Sequence, residues 1–476
     1  MSERTLSSGT GQFVATRLQA GIAWITLALV LASALALGAN RPAAWVLLAL
    51  AVVLLFAVQL LVDLMTSLDV PASRVAGPAL LYLAALGWAL LQIWPGLFPQ
   101  WADPAWQLVP EAPPRISSDP VAGAHGLMRL ALYGMIFWIL VRAATHAKRA
   151  KAMLVTIALF STGLAAFGLV AALIGWNPVL GEDATGRVSA TFINRNSYAT
   201  YAVFGLLANL GLYLSRIPTA PDDEVPASIW LRDFLEAFFS GGWIFAVGFF
   251  LCLAATLLTE SRAGVAAAVV GLSVFALAKF RSRRVRNPWT AGSVVVFLVA
   301  AGAFLSSDVG ARLSSTGSDE ARFEIYGALI DGIAERPWTG HGIGAFEDSF
   351  RRLVPPGQAA QDWDYAHSSY LENGYEFGVI GAAVFYGALL WTGVVILRGV
   401  LTRRRNRVFS CVALGCLAAA AFHALFDFSL QMPATASLFA VILALGWAQS
   451  FGHATGAWRL KPVRPAPSDH DDFVEV

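Results

Sequence analysis

Runs of nearly twenty almost wholly apolar residues recur along this chain, and a fold built from them must satisfy its own backbone hydrogen bonds without help from water. They centre on residues 20–37, 43–61, 77–94, 127–141, 153–174, 198–214, 243–258, 263–280, 291–305, 379–397, 410–425 and 434–447. A helix needs about 20 such residues to cross a hydrocarbon core, and each run meets or approaches that length. The expectation is an all-α fold, a polytopic membrane helix bundle of about twelve transmembrane helices. Composition agrees, because 57% of the 476 residues are hydrophobic and only 13% charged, about half the charged share of a soluble domain. The formal charge is +2 and the basic residues are scattered. That leaves no concentrated footprint for nucleic acid and makes membrane lipids the first expected partner.

Residues 1–19 are polar and lack a short apolar core followed by a small-residue cleavage site, so the first run is expected to be an anchor rather than a removable signal. Cys252, Cys411 and Cys416 lie in apolar runs without metal-ligand spacing and are expected to be small core residues. Lys and Arg accumulate on the cytoplasmic side of membrane proteins. With the N-terminus inside, the inner segments hold Arg142, Lys148, Arg149 and Lys151, then 279–286, 398–407 and the C-terminal tail. With the N-terminus and the remaining inner connections counted as well, this orientation places 22 of the 33 Lys and Arg residues, and all four lysines, inside. Both termini are therefore expected to be cytoplasmic.

Three outer segments follow: 95–126, 175–197 and 306–377. The first holds Trp101, Trp106 and several prolines and reads as an irregular loop with interfacial tryptophans. The third is too long to be a structureless connection in a folded domain. Within it 319–336 reads as a helix, with Ser318 or Asp319 as cap, Pro337 as stop, and Ile325, Leu329 and Ile333 on a face that Arg322 begins. Gly340-His341-Gly342-Ile343-Gly344 is like a phosphate-cradling loop but lacks the Lys and Ser/Thr that should follow, so it reads as a turn. The segment closes on Tyr365-Ala366-His367-Ser368-Ser369-Tyr370-Leu371, which leads into the tenth span and sets His367 near the outer interface.

Four blocks in order carry a resemblance. They are Arg187 through Asn196 to Ala199, Leu257-Leu258-Thr259-Glu260-Ser261-Arg262-Ala263-Gly264, Arg322 to Gly344, and His367-x-x-x-Leu371-x-x-x-x-Glu376-x-Gly378-x-x-Gly381. Together they resemble the O-antigen ligase and polymerase superfamily over residues 180–390. Ser368 departs from the pattern, since the family commonly has Asn after the histidine. The resemblance implies a lipid-carrier-dependent membrane glycosyltransferase in a bacterial inner membrane with a periplasmic active face. It implies a glycan donor on undecaprenyl pyrophosphate and an acceptor that is either lipid A core, in a ligase, or a lipid-linked glycan, in a polymerase. An inverting, metal-independent reaction without cofactors is implied as well.

The residue types suit that chemistry. A lipid pyrophosphate gains charge as the sugar bond breaks, and fixed arginines beside it stabilise the transition state. Arg262, at the junction of two apolar runs, is either such a cation or an interfacial arginine snorkelling to lipid phosphate. Arg322 is favoured by its family block, and Arg336 beside Pro337 reads as an end-of-helix charge. Arg187 is either a third cation or a solvated loop charge, and Arg351 and Arg352 read as a surface pair. His367 is the candidate base or orienter for the acceptor hydroxyl, with Arg322 and Arg262 as its catalytic companions. Arg187, Asn196 and Glu376 are candidate substrate-binding residues, Glu376 either orienting a partner or capping the tenth span. Gly378 and Gly381 read as allowing close helix packing.

Asp362 and Asp364 form an acidic pair that a divalent cation would favour, but the resemblance argues against a metal. A transporter of a small solute is the rival class. It would place ionisable residues near mid-membrane, and the nearest are His423 and Asp427, toward the outer end of a span. The expected organisation is a cytoplasmic N-terminus at 1–19, spans one to nine over 20–305, and a long, partly helical periplasmic catalytic loop at 306–377 before the tenth span. Spans ten to twelve follow over 378–450, then a disordered cytoplasmic tail at 451–476. Residues 227–239 read as an interfacial helix on the inner side.

Overall fold

Every apolar run that lies within the described residues folds as a helix, because only a helix closes its backbone hydrogen bonds inside one segment. The computed structural model describes residues 2–65, 72–184, 187–217, 229, 232, 235, 236, 238–280, 317–358, 360 and 362–451, without the side chains of 2–13, 65, 72–74 and 317–323. The expected ninth span (291–305), most of 227–239, residues 306–316 and the C-terminal tail lie outside them.

The helices are α1 (Ser2–Leu35), α2 (Pro42–Met65), α3 (Ala72–Ile93), α4 (Pro120–Ala144), α5 (Ala147–Ile174), α6 (Arg195–Arg216), α7 (Trp243–Leu258), α8 (Arg262–Phe280), α9 (Gly317–Glu335), α10 (Phe346–Phe350), α11 (Ser369–Thr402), α12 (Arg407–His423) and α13 (Pro433–Gln449). Nine helices among the described residues are long and apolar enough to cross a membrane, and α12 and α13 are shorter apolar helices. The protein is an all-α polytopic bundle. Among the described residues the strands are one hairpin of two-residue strands that pairs Trp176 with Asp183.

Helix α13 is buried on every side, as its all-round apolar sequence demands, and α6 nearly so. Phe204 of α6 stacks on Phe439 of α13 at 5.7 Å. Small residues let backbones close up around them: a Cβ on Gly446 would stand 2.2 Å from that of Ala413, and one on Gly271 would meet the Gly415 carbonyl at 3.0 Å. Helix α2 instead turns Leu47, Leu54 and Leu64 outward, the face a membrane lipid would cover. Cys252, Cys411 and Cys416 are buried and unlinked, as expected of core residues.

Two helix boundaries differ from the apolar runs. Helix α4 starts at Pro120 rather than 127, because Asp119 caps it by accepting from the Val121 and Ala122 N–H groups and proline occupies the first position. Helix α2 runs on to carry Asp63, which pairs with Arg142 at 2.9 Å and also accepts from Gln59 and Trp138, so that buried charge is offset.

At the opposite end of the bundle from Asp63 lie the described connections 94–119, 175–184, 187–194, 336–358, 362–368 and 424–432. The long segment before α11 is compact where described. It has a small core of its own, built from Ile325, Leu329, Phe346, Phe350, Ala366 and Tyr375, which confirms the apolar face of the expected helix. The axis of α11 breaks at Gly378, whose φ of +71° a side chain would oppose. A Cβ there would stand 2.6 Å from the Trp338 carbonyl oxygen, so Gly378 serves a backbone break rather than the helix packing expected of it.

Candidate active site

His367 has φ +54°, a left-handed conformation that costs a non-glycine residue on the order of 1–3 kcal/mol unless its surroundings hold it. Several groups hold it. The Ala366 N–H donates to Glu372 Oε2 at 2.7 Å, the Tyr326 hydroxyl donates to the His367 carbonyl at 2.8 Å, and the Ser369 N–H donates to the Ala424 carbonyl at 2.9 Å. The half-buried imidazole meets the Phe428 ring edge-on, centroids 5.0 Å apart, with Trp363 at 6.2 Å. Tyr365 stacks on the same Phe428 at 4.1 Å. Tyr326 lies four residues beyond Arg322 on α9, one helical turn, which sets the Arg322 backbone about 6 Å along the axis from the residue that grips His367. The Arg322 side chain lies outside the described residues.

The wall behind His367 leads to Asn196. Asp427 is buried and accepts from the Phe428 N–H at 2.7 Å and from Asn196 Nδ2 at 2.5 Å, and its carbonyl accepts from the Ser369 hydroxyl at 3.0 Å. Asn194 caps α6 by accepting from the Asn196 and Ser197 N–H groups, which fixes where Asn196 points. The α7–α8 junction approaches the same first turn of α6. Glu260, itself at φ +54°, accepts from Arg187 and Arg195 at 3.2 Å each. Arg187 is 67% exposed and so a rim charge. Arg262, half-buried, opens α8. Two residues on, a Cβ on Gly264 would come within 2.5 Å of the Ala199 methyl, so the first turns of α6 and α8 touch.

Glu376 sits deeper. It is buried, and Oε1 accepts from the Phe346 N–H at 3.2 Å while its carbonyl accepts from Gly342 and from Gln92. The Gly340-to-Gly344 segment is the turn its glycines suggested, each at positive φ. His341 within it is 0% exposed, and its Nε2–H donates to the Gly332 carbonyl, since a carbonyl only accepts. Its Nδ1 stands 3.8 Å from Asp103 Oδ2. Asp103 also takes a 2.7 Å ion pair from Arg336, which reaches the Ile116 and Trp101 carbonyls as well. Burial pushes the Asp103 carboxyl up, but His341, the Ala105 N–H and the Arg336 charge together outweigh it and hold the group below its ordinary value. Arg336 is thus more than an end-of-helix charge: it bolts α9 to the segment between α3 and α4. Arg351 and Arg352 are exposed and pair with Glu347 and Glu335, the surface role expected of them.

Residues 247–386 match the family model of the O-antigen ligase. That segment belongs to the O-antigen ligase and polymerase superfamily, and runs from within α7 to within α11. It includes Arg262, Arg322, His367 and Glu376, while Arg187 and Asn196 precede it. No curated protein matches the chain. The ligase segment and the bundle together make this a multi-pass membrane protein of the glycosyltransferase kind found among ligases and polymerases.

The fold brings two of the expected residues to one corner of the bundle, His367 and Asn196, joined through Asp427 and Phe428. Arg262 and Arg187 belong to the adjoining junction. Glu376 is held in the glycine turn on the other side of the His367 segment, with its carboxylate directed at loop backbone. Asp362 and Asp364 are exposed. Residue patterns did not single out Glu372, Phe428 or Gln431, and they noticed Asp427 only as a possible transport residue. A short polar-aromatic turn between two apolar helices, 427–431, was the available signal.

Proposed function

We propose that the protein moves a glycan from an undecaprenyl-pyrophosphate carrier to an acceptor sugar at the periplasmic face of a bacterial inner membrane. The observation that carries the reading is His367: a strained, braced imidazole inside an O-antigen ligase segment, at the end of the bundle where the loops gather. In this reading the acceptor hydroxyl attacks the anomeric carbon while the bond from that carbon to the pyrophosphate oxygen breaks, and the electron pair leaves with the lipid pyrophosphate. His367 orients the hydroxyl and takes its proton. Arg262 and Arg322, with Arg187 at the rim, offset the charge that grows on the departing phosphate. One displacement at one carbon inverts its configuration, and no metal is required because the arginines supply the positive charge.

The charge distribution supports the orientation. Lys279 and Arg403 to Arg407 lie at the opposite end from His367, which supports a reading with that end and both termini cytoplasmic. The loop at 306–377 is then the periplasmic catalytic loop, flanked by spans one to nine and ten to twelve.

The test is glycan transfer by the purified full chain in liposomes, from an undecaprenyl-pyrophosphate oligosaccharide, with and without lipid A core and with and without chelator. Product only on lipid A core identifies a ligase, and a ladder of lengthened lipid-linked glycan without it identifies a polymerase. His367→Ala is expected to abolish transfer while inserting normally. Full activity of that variant would remove histidine from the mechanism, and solute uptake by vesicles free of lipid-linked glycan would favour a transporter instead.

A further inference from the structure

Glu372 is 3% exposed, and within hydrogen-bonding distance its carboxylate meets two neutral donors. Removing a carboxylate from water is costly, and two neutral hydrogen bonds offset only part of that cost. The first turn of α11 favours a carboxylate through the helix dipole, yet the hydrogen bonds of Glu372 leave the helix altogether. An ordinary cap acts from the residue just before the helix, whereas Glu372 lies within the first turns and reaches six residues back, past the helix start.

Its two oxygens have different duties. Oε2 accepts from the Ala366 N–H at 2.7 Å, at the peptide that immediately precedes His367 and its left-handed φ. Oε1 accepts from Gln431 Nε2 at 2.7 Å, three residues beyond Phe428, the ring that meets the imidazole edge-on. One carboxylate therefore fixes both the backbone from which His367 projects and the turn that walls it. A second brace, the Tyr326 hydroxyl on the His367 carbonyl, acts from the far side of the same residue.

We propose that Glu372 is a positioning residue for His367, holding the imidazole at the acceptor hydroxyl by clamping Ala366 and Gln431 together. The proposal rests on the transferase reading and adds to it a residue that touches no substrate. It also makes a chemical distinction. Gln431 Oε1 is buried and without a hydrogen-bond partner, so when Glu372 becomes Gln the Gln431 amide turns over and accepts from the new NH₂ group while the new Oε1 keeps Ala366. The geometry survives that change and is lost when the oxygens are removed.

The experiment uses full-length protein in liposomes with an undecaprenyl-pyrophosphate oligosaccharide and lipid A core or a second lipid-linked glycan, and reads kcat and donor KM separately. Glu372→Leu is expected to lower kcat on the order of 100-fold, the scale of a misplaced reacting group, with donor KM unchanged. Glu372→Gln is expected to keep kcat within about threefold of the parent, because the hydrogen bonds that position His367 survive. Parental kcat in Glu372→Leu overturns the proposal, as does Glu372→Gln being as slow as Glu372→Leu. If Glu372→Leu does not purify as a monodisperse protein, Gln431→Met carries the test: it frees only the Phe428 side, and an unchanged kcat there overturns the clamp. His367→Ala run in parallel separates the two readings. Full activity of His367→Ala removes the transferase role of the histidine, whereas an inactive His367→Ala beside a fully active Glu372→Leu removes the positioning role alone.

Discussion

Replacing Arg336 with Met keeps the bulk of the side chain and deletes its charge and its donors. Arg336 and Asp103 are 12% and 10% exposed, and the 2.7 Å bond between them joins the end of α9 to the segment between α3 and α4. Breaking a buried pair from one side costs about 3–5 kcal/mol, because the surviving charge is left in a poor solvent. Asp103 keeps the Ala105 N–H at 3.0 Å, which favours the lower end, about 3 kcal/mol. If that cost falls on local opening, at 1.4 kcal/mol per decade the open population rises on the order of 100-fold. Hydrogen exchange read by mass spectrometry should show this in peptides covering 101–118 and 336–344, with peptides from 153–174 as the unaffected reference. The double variant Arg336→Met/Asp103→Leu should recover most of the protection, since no lone charge remains. A change below about threefold in the single variant would show that the pair does not hold the segment down. Asp103, depressed in the folded protein, contributes stability that is present above its ordinary value near 3.9 and lost as pH falls through the lower folded value. The protection gap between parent and Asp103→Asn should therefore close below about pH 4.

Gly342→Ala should destabilise the glycine turn by about 2 kcal/mol or more, because φ there is +107° and the new methyl would stand 2.2 Å from Ser117 Oγ. A lowered unfolding temperature in detergent checks it, and an unchanged one would contradict the turn geometry. For topology, Glu111→Cys and Arg404→Cys place exposed thiols at opposite ends of the bundle, against three native cysteines that are buried. An impermeant thiol reagent added outside intact cells should label the first and spare the second, and the reverse pattern would invert the protein in its membrane.

The bundle was legible because a membrane-crossing helix announces itself by length and composition, which are local properties. So were the turn at 340–344, written in three glycines, and the helix that Pro337 stops. The site was legible only where a single residue carries its own chemistry, as His367 does. What surrounds it is not local. Phe428 is 61 positions from His367, and Asn196 meets Asp427 across 231. Arg336 reads as a helix-end charge because its neighbours in sequence explain it adequately; its partner is 233 positions away. Glu372 is inconspicuous in the sequence for another reason. Its spacing from His367 suits a helix surface, and only the burial of that surface turns an ordinary glutamate into a clamp.

The break at Gly378 divides α11 into a short arm, 369–377, and a long shaft. The arm is tied to the loop by Gly340 and Gly342 against its carbonyl end, and the first residue of the shaft is tied there too, Val379 N–H donating to the Pro337 carbonyl at 2.8 Å. In an unbroken helix each inserted residue would swing everything beyond it by about 100°. Here the change of direction is made at one glycine, with hydrogen bonds to the loop on both sides of it. The arm that carries Glu372 therefore takes its direction from the loop backbone at 337–342 as well as from the shaft, like a bracket fixed at its corner.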